Sequence, residues 1–297
     1  MKVLIAGGRG FLGRSLTRSL RAAGHHVVIL TRAVPADHDE IRWDGRSAAG
    51  WGGIVSELDA VVHFTGYSLS HWPWTSSHKR RFIESRVRPG EALVSAIERA
   101  SPRPQMFLQA SGISYYGLSG DGLADESTPA GDDFLARMCV AWEAASEPVE
   151  AMGVRRVITR NAVVLDSHAL LLGLMALPAR LYAGGPHGSG RQAMPWIHLT
   201  DYLAALHLLI GSDQARGPYN LIAPAPSSNA DFMRALCGAL RRPCWLRTPA
   251  WLLRGVLGEM STLLLGGRFC RPRRLLELGY RFQFAELAPA FDDLFHR

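Results

Sequence analysis

The sequence predicts an α/β fold built on a doubly wound parallel sheet, and three observations carry that reading. Short apolar runs alternate with amphipathic stretches of helical length, the pattern of strands buried on both faces between helices. The first such run, residues 2–6, ends in Gly7-Gly8-Arg9-Gly10-Phe11-Leu12-Gly13, which opens an amphipathic stretch over 11–23. A strand, a glycine turn and a helix in that order make a Rossmann-type unit. Beyond Arg160 the alternation fades, and the tail from Pro243 is by turns apolar and Arg-rich, which predicts a smaller, mainly helical C-terminal lobe.

The elements follow in order. After the first strand and helix, a Gly24-His25 turn leads to a strand over 27–31. Polar, Gly-rich residues 33–57 leave room for a short strand near 41–43, and 59–64 is a strand ending at Thr65-Gly66. Apolar residues at 82, 83, 87, 93, 94 and 97 predict a helix over 77–100. Residues 106–110 form a strand that ends at Ser111, followed by a loop with Tyr115, Tyr116 and the acidic segment 121–126. One helix over 132–152 and a strand over 154–159 come next. Later come a helix near 169–180, a Gly-rich loop over 183–192, strands at 194–197 and 219–222, and a helix over 229–240. This divides the chain into a nucleotide-binding domain over 1–165, with later elements around 194–222, and a substrate-side region over 166–297 whose lobe occupies about 243–297.

The glycine turn predicts a dinucleotide. Gly7 and Gly8 allow the tight turn, Gly10 admits a pyrophosphate, and Gly13 lets the helix sit close on the strand. Helix N-terminal amides then face the phosphates with a favourable dipole. NAD-binding domains place a carboxylate on the adenosine ribose roughly 20 residues past the glycines. Here the second strand ends in Thr31-Arg32, with no carboxylate until Asp37. Arg32, with Arg9 clamping from the other side, suits a 2′-phosphate, so the expected cofactor is NADP(H).

Composition excludes several other classes. The 297 residues suffice for one large α/β domain or a main domain with a lobe. The net charge of +7 comes mostly from scattered arginines, with small groups only at Arg241-Arg242 and from Arg268 to Arg274, so no nucleic-acid partner is expected. Cys139, Cys237, Cys244 and Cys270 show no CxxC pairing and read as reduced thiols of a cytoplasmic protein. No His, Cys, Asp or Glu cluster has metal-ligand spacing, so no metal is expected. The first apolar run is too short for a secretory leader. Charges and prolines interrupt the apolar stretches 162–182 and 251–265 before the roughly 18 residues of a membrane span.

Further segments point to a family. They are Trp43-Asp44, residues 60–66, Ser85-Arg86, residues 111–117, and 134–143 with its Trp142-Glu143 pair. Residues 160–165, the loop 184–192, Pro195-Trp196-Ile197-His198 with Asp201, and 272–294 with Leu278-Gly279-Tyr280 complete the set. Together they resemble the extended short-chain dehydrogenase/reductases, the sugar-nucleotide epimerase-like proteins. More closely they resemble the atypical branch called epimerase family proteins, with its characteristic C-terminal domain. The resemblance implies that Ser111 lies near the nicotinamide; Tyr115 and Tyr116 either offer phenols to a substrate carbonyl or, with Ser111, pack the loop and bind cofactor. It implies that Phe64, Thr65 and Gly66 flank the pyrophosphate and adenosine ribose, and that Arg86 reaches the cofactor. Arg191, Trp196 and His198 would lie on the substrate side, and His198 beside Asp201 is either a pH-active pair or, the favoured reading, a residue that caps or packs the next helix.

One departure matters. The family's Tyr-x-x-x-Lys dyad, in which an ammonium helps a tyrosine exchange a proton, is absent. The only lysines are Lys2 and Lys79, and the expected helix reads Leu135-Ala136-Arg137-Met138-Cys139. The leading expectation is an NADP(H)-dependent oxidoreductase of a small, unidentified substrate. Its rival is a nucleotide-binding regulator or scaffold of the kind linked to division-type processes, with 251–265 as its interaction face and a protein partner or a homodimer as its assembly. A sugar-nucleotide epimerase or dehydratase comes behind, for want of the dyad, and a membrane-surface role for the basic tail stands last.

Overall fold

A computed structural model describes residues 1–120 and 122–296; Asp121, in the acidic segment, lies outside them. Its strands are β1 (Lys2–Ala6), β2 (His26–Thr31), β3 (Glu40–Arg42), β4 (Ala60–His63), β5 (Met106–Gly112), β6 (Arg155–Asn161), β7 (Val163–Leu165), β8 (Trp196–His198) and β9 (Gly217–Leu221). The main sheet is seven-stranded, in the order β3-β2-β1-β4-β5-β6-β9, and every pairing in it is parallel. The order reverses between β1 and β4, so a crevice opens at their carboxyl ends. Open α/β sheets bind ligands at such a switch point.

Alternation along β1 shows how the sheet is buried on both faces. Val3 and Ile5 pack with Leu16 and Leu20 of α1 (Phe11–Ala22), whereas Leu4 and Ala6 pack with Leu93 and Ile97 of α2 (Ser76–Arg99). The remaining helices are α3 (Phe134–Ala144), α4 (Pro148–Ala151), α5 (Leu170–Arg180), α6 (Leu199–Gly211), α7 (Asn229–Ala239), α8 (Ala250–Leu257), α9 (Thr262–Leu265), α10 (Arg273–Glu277) and α11 (Leu287–His296).

Two expectations are corrected. The helix expected over 132–152 is two pieces, α3 and α4, because Pro148 lacks the N–H that would continue the ladder. Arg156 occupies the break, donating to the Glu143 carbonyl and to the Ser146 hydroxyl. The strand expected at 194–197 does not join the main sheet. Shifted to Trp196–His198, it pairs with β7 in a separate two-stranded sheet.

The C-terminal segment is tied back to the body by buried polar contacts. Asp201 accepts hydrogen bonds from the Tyr280 hydroxyl and from the amides of Gln283 and Phe284, all at 2.8 Å. Arg271 pairs with Asp125 at 2.7 Å, and α11 packs on α7 through Phe291 and Phe232. Among the described residues, no helix is long and apolar enough to cross a membrane.

Candidate cofactor cradle and active site

The glycines of the first turn are required by the backbone around them. Gly7 has a φ of +92°, and a Cβ there would lie 2.8 Å from the Phe64 carbonyl. A Cβ on Gly13 would lie 2.2 Å from the Gly7 oxygen and 2.7 Å from the Gly8 Cα, closer than any side-chain carbon approaches. A Cβ on Gly8 would lie 2.7 Å from the Ile29 side chain. Gly10 is the N-cap of α1 and offers no side-chain acceptor, and no acidic residue occupies the first turn, which begins Phe11-Leu12. The result is a helix N-terminus with open amides beside a glycine floor, a shape and charge that fit a pyrophosphate.

At the end of β2, Thr31 turns its hydroxyl back to accept from the Ala33 amide at 3.2 Å. Arg32 is exposed and forms no hydrogen bond or ion pair with any described residue. Arg9 is not a free second clamp. Its Nε donates to Glu40 Oε1 at 2.9 Å, and a second guanidinium nitrogen contacts both Glu40 Oε2 and the Val34 carbonyl. The hydrogen bond from Arg9 also holds the Glu40 carboxyl below its usual range. The expected two-arginine clamp therefore reduces to Arg32, with Arg9 shared, because β3 brings Glu40 over the glycine turn.

On the far side of the crevice, the Phe64 amide donates to the Ala6 carbonyl at 2.8 Å, which seats the β4 end beside Gly7. Thr65 Oγ1 lies 2.6 Å from Nε2 of His63. His63 is fully buried, and that burial, with the nearby Arg86 charge, pushes its pKa down to about 3, so it stays neutral. Arg86 lies under the loop instead of reaching into the crevice. Its guanidinium is 3.1 Å from where a Gly66 Cβ would be, donates to the carbonyls of Tyr67 and Phe82, and stacks 5.0 Å from the Trp142 ring. Burial lowers its pKa to about 10. Arg86 is thus a prop for the Phe64-Thr65-Gly66 floor, a correction to the expected cofactor contact.

At the end of β5, Ser111 and the two tyrosines meet a network that the sequence did not announce. Ser111 Oγ donates to Glu143 Oε1 at 2.7 Å. Arg160 grips the same carboxylate with two nitrogens, each at 2.9 Å, and donates its third to the Tyr116 hydroxyl at 2.9 Å. Tyr116 passes the chain on to Asn220 Oδ1 at 2.8 Å. Burial works against the Arg160 charge, but the hydrogen bonds and charge of Glu143 outweigh it and raise its pKa. Burial also raises that of Tyr116. Fully buried and doubly engaged, Tyr116 cannot reach a substrate. Tyr115 remains partly exposed, with the Arg160 guanidinium 3.3 Å from its ring centre. Of the expected pair of phenols, only Tyr115 is available for chemistry.

The substrate-side trio separates. Arg191 is exposed on its loop. Trp196 is buried and lines a small cavity with Ser227 and Cys270. His198 is buried too, where its Nδ1 caps α6 by accepting from the Thr200 amide at 3.2 Å and its Nε2 lies 3.2 Å from Asp293. Its expected partner Asp201 instead anchors the tail. Trp196 and His198 are therefore core and capping residues. Among the described residues, no group of three or more His, Cys, Asp and Glu side chains is placed to hold a metal.

Glu143 and Arg160 are the members that site reasoning missed. The signal was there: a carboxylate at the buried edge of the apolar helix 134–144, and an arginine ending an apolar strand. Each alone would be unsatisfied inside a protein, so each implied a buried partner.

Comparison with known proteins places this geometry. A family model described as the NAD dependent epimerase/dehydratase family matches residues 3–221, and one described as a domain of unknown function, DUF1731, matches 248–294. The epimerase family protein SDR39U1 of Bos taurus is 36% identical over 299 residues, covering 99% of both chains. An epimerase family protein of Mycobacterium bovis is 36% identical over 290 residues, 97% of this chain and 95% of its own. The crystal structure of the human SDR39U1 protein with NADPH superposes with a TM-score of 0.91 at 33% identity, covering 100% of this chain and 99% of that one. With a parallel sheet reversing at the glycine cradle and relatives alike from end to end, this chain belongs to the NAD dependent epimerase/dehydratase family and carries the DUF1731 domain at its C-terminus.

Proposed function

We propose that this protein is an NADP(H)-dependent oxidoreductase acting on the carbonyl or hydroxyl of a small substrate. The observation that carries the reading is the open N-terminus of α1 over its glycine floor, with Arg32 at the end of β2 where a carboxylate would select NAD. The human relative was crystallised with NADPH, which supports it. Gly7, Gly8, Gly10 and Gly13 would let the pyrophosphate approach the α1 amides, and Arg32 would meet the 2′-phosphate, assisted by Arg9. The nicotinamide supplies hydride chemistry. Tyr115 would donate or take the proton at the substrate oxygen, since its ring is held by Arg160 and the residue is partly exposed. Ser111 would sit beside that oxygen as a second polar contact, its proton already directed to Glu143.

A second reading is favoured by the same network. Ser111, Glu143, Arg160 and Tyr116 satisfy one another internally, as in a scaffold that binds nucleotide and turns nothing over. Calorimetric titration with NADPH and NADH, on the native chain and on Arg32→Asp, tests the cofactor assignment. The expected result is tighter NADPH binding and loss of that preference in the variant. Equal affinity for the two nucleotides in the native chain would refute the role of Arg32. Bound NADPH that no carbonyl compound in a broad panel oxidises would favour the scaffold.

A further inference from the structure

The outer surface of α5 and α8 serves neither the core nor the crevice. Leu174, Leu177 and Leu181 recur at helical spacing along α5 and its end, and all are exposed. Next to them stands Trp245, whose indole N–H donates to the Tyr182 carbonyl at 2.9 Å, so the two segments share one surface. The chain continues directly into α8, where Trp251 projects. Leu181 and Trp245 are each 68% exposed and Trp251 72%, so these side chains present most of their area to solvent. So many apolar side chains on neighbouring segments mark an interaction site.

The charges carried by these segments themselves are all of one sign. Arg180, Arg241, Arg242, Arg247 and Arg254 lie among these apolar residues, and none forms an ion pair with a described residue. Arg242 instead lies 4.5 Å over the Tyr182 ring. No aspartate or glutamate occurs between 167 and 200 or between 232 and 258. A second copy of this chain fits poorly. A twofold interface sets the same patch against itself and would bring these arginines together without a carboxylate between them. Exposed leucine and tryptophan among arginines match the boundary of an anionic bilayer, with apolar groups at acyl depth and guanidinium groups at the phosphates.

We infer that the α5–α8 face is a docking surface for anionic membrane, on which the protein rests without spanning it. The test is co-flotation of the full chain with vesicles of phosphatidylcholine alone and of phosphatidylcholine mixed with phosphatidylglycerol. Binding is expected only to the anionic vesicles and should weaken as salt rises. Trp245→Ala with Trp251→Ala should reduce partition by more than about tenfold, through lost apolar burial. Arg247→Glu with Arg254→Glu should reduce it by at least about fivefold per arginine. Both variants should bind NADPH as the native chain does, since neither touches the cradle. Brominated lipid should quench tryptophan emission of the native chain and not of the double alanine variant. The inference fails if the anionic vesicles are not bound, or if both variants bind them unchanged. It also fails if soluble polyglutamate binds as tightly as vesicles, which would give the face to an acidic protein. Self-association abolished by the alanine pair would give it to a second copy and overturn the inference as well.

Discussion

Glu143→Gln isolates the buried pair behind the candidate active site. The native carboxylate takes two hydrogen bonds from Arg160 and one from Ser111, in a site where the two charged side chains are only 10% and 5% exposed. Glutamine keeps the shape but turns one acceptor into a donor facing a guanidinium, and leaves the Arg160 charge buried without its partner. Breaking one side of such a pair costs about 3–5 kcal/mol, against about 0–1 kcal/mol for a surface pair. That is a large part of the roughly 5–15 kcal/mol that holds a typical domain together. In urea unfolding, at a slope of roughly 3 kcal/mol/M, the midpoint should fall by about 1 M or more. The double variant Glu143→Gln, Arg160→Met removes both charges and should be more stable than the sum of the single losses predicts, by about 1–3 kcal/mol. A loss below about 1 kcal/mol for Glu143→Gln, or additive losses in the double variant, would show that water already screens the pair and would refute the reasoning.

Three further outcomes follow from the same geometry. Gly13→Ala should gain about 1 kcal/mol by helix propensity, but its Cβ would sit 2.2 Å from the Gly7 oxygen, so we expect net destabilisation and at least about tenfold weaker NADPH binding by calorimetry. His63, held neutral with its pKa near 3, makes folding acid-sensitive. Only the unfolded chain takes up its proton below about pH 6.5, so stability is complete above that pH and falls as pH drops toward 3, by about 1.4 kcal/mol per unit. His63→Gln should remove roughly 2 kcal/mol of the loss between pH 6.5 and 5 in unfolding titrations, and an unchanged pH slope would contradict the assignment. Tyr115→Phe should abolish turnover of any substrate found while leaving NADPH affinity within about twofold, because the ring and its stack on Arg160 survive; retained turnover would remove Tyr115 from the mechanism.

Much of the fold was legible because its causes are local. The runs at 2–6, 27–31 and 106–110 are apolar for as long as a strand crosses a covered sheet, and each begins or ends within about two residues of the observed element. The glycine turn was legible for the same reason: its spacing encodes a steric requirement within 13 residues of the chain start. The helix expected over 132–152 breaks at Pro148, which lacks the N–H to continue it, and only the fold brings Arg156 from a neighbouring strand to satisfy the Glu143 carbonyl there. A short strand near β8 was legible, but its apolar run carries no information about which partner it meets, and only the structure pairs it with β7.

The candidate site divides along the same line. Sequence alone determined the dinucleotide cradle, the absence of the Tyr-x-x-x-Lys dyad and the arginine at the end of β2, since each is a matter of residue type at a fixed short spacing. Only the tertiary structure decided which tyrosine is accessible, that Arg86 props a loop, that Glu40 takes Arg9, and that Glu143 and Arg160 close a network across 17 residues of chain. Those outcomes depend on burial and on partners from distant segments. An isolated arginine or carboxylate is soluble anywhere on a chain, and packing decides whether it stays hydrated or must find its opposite.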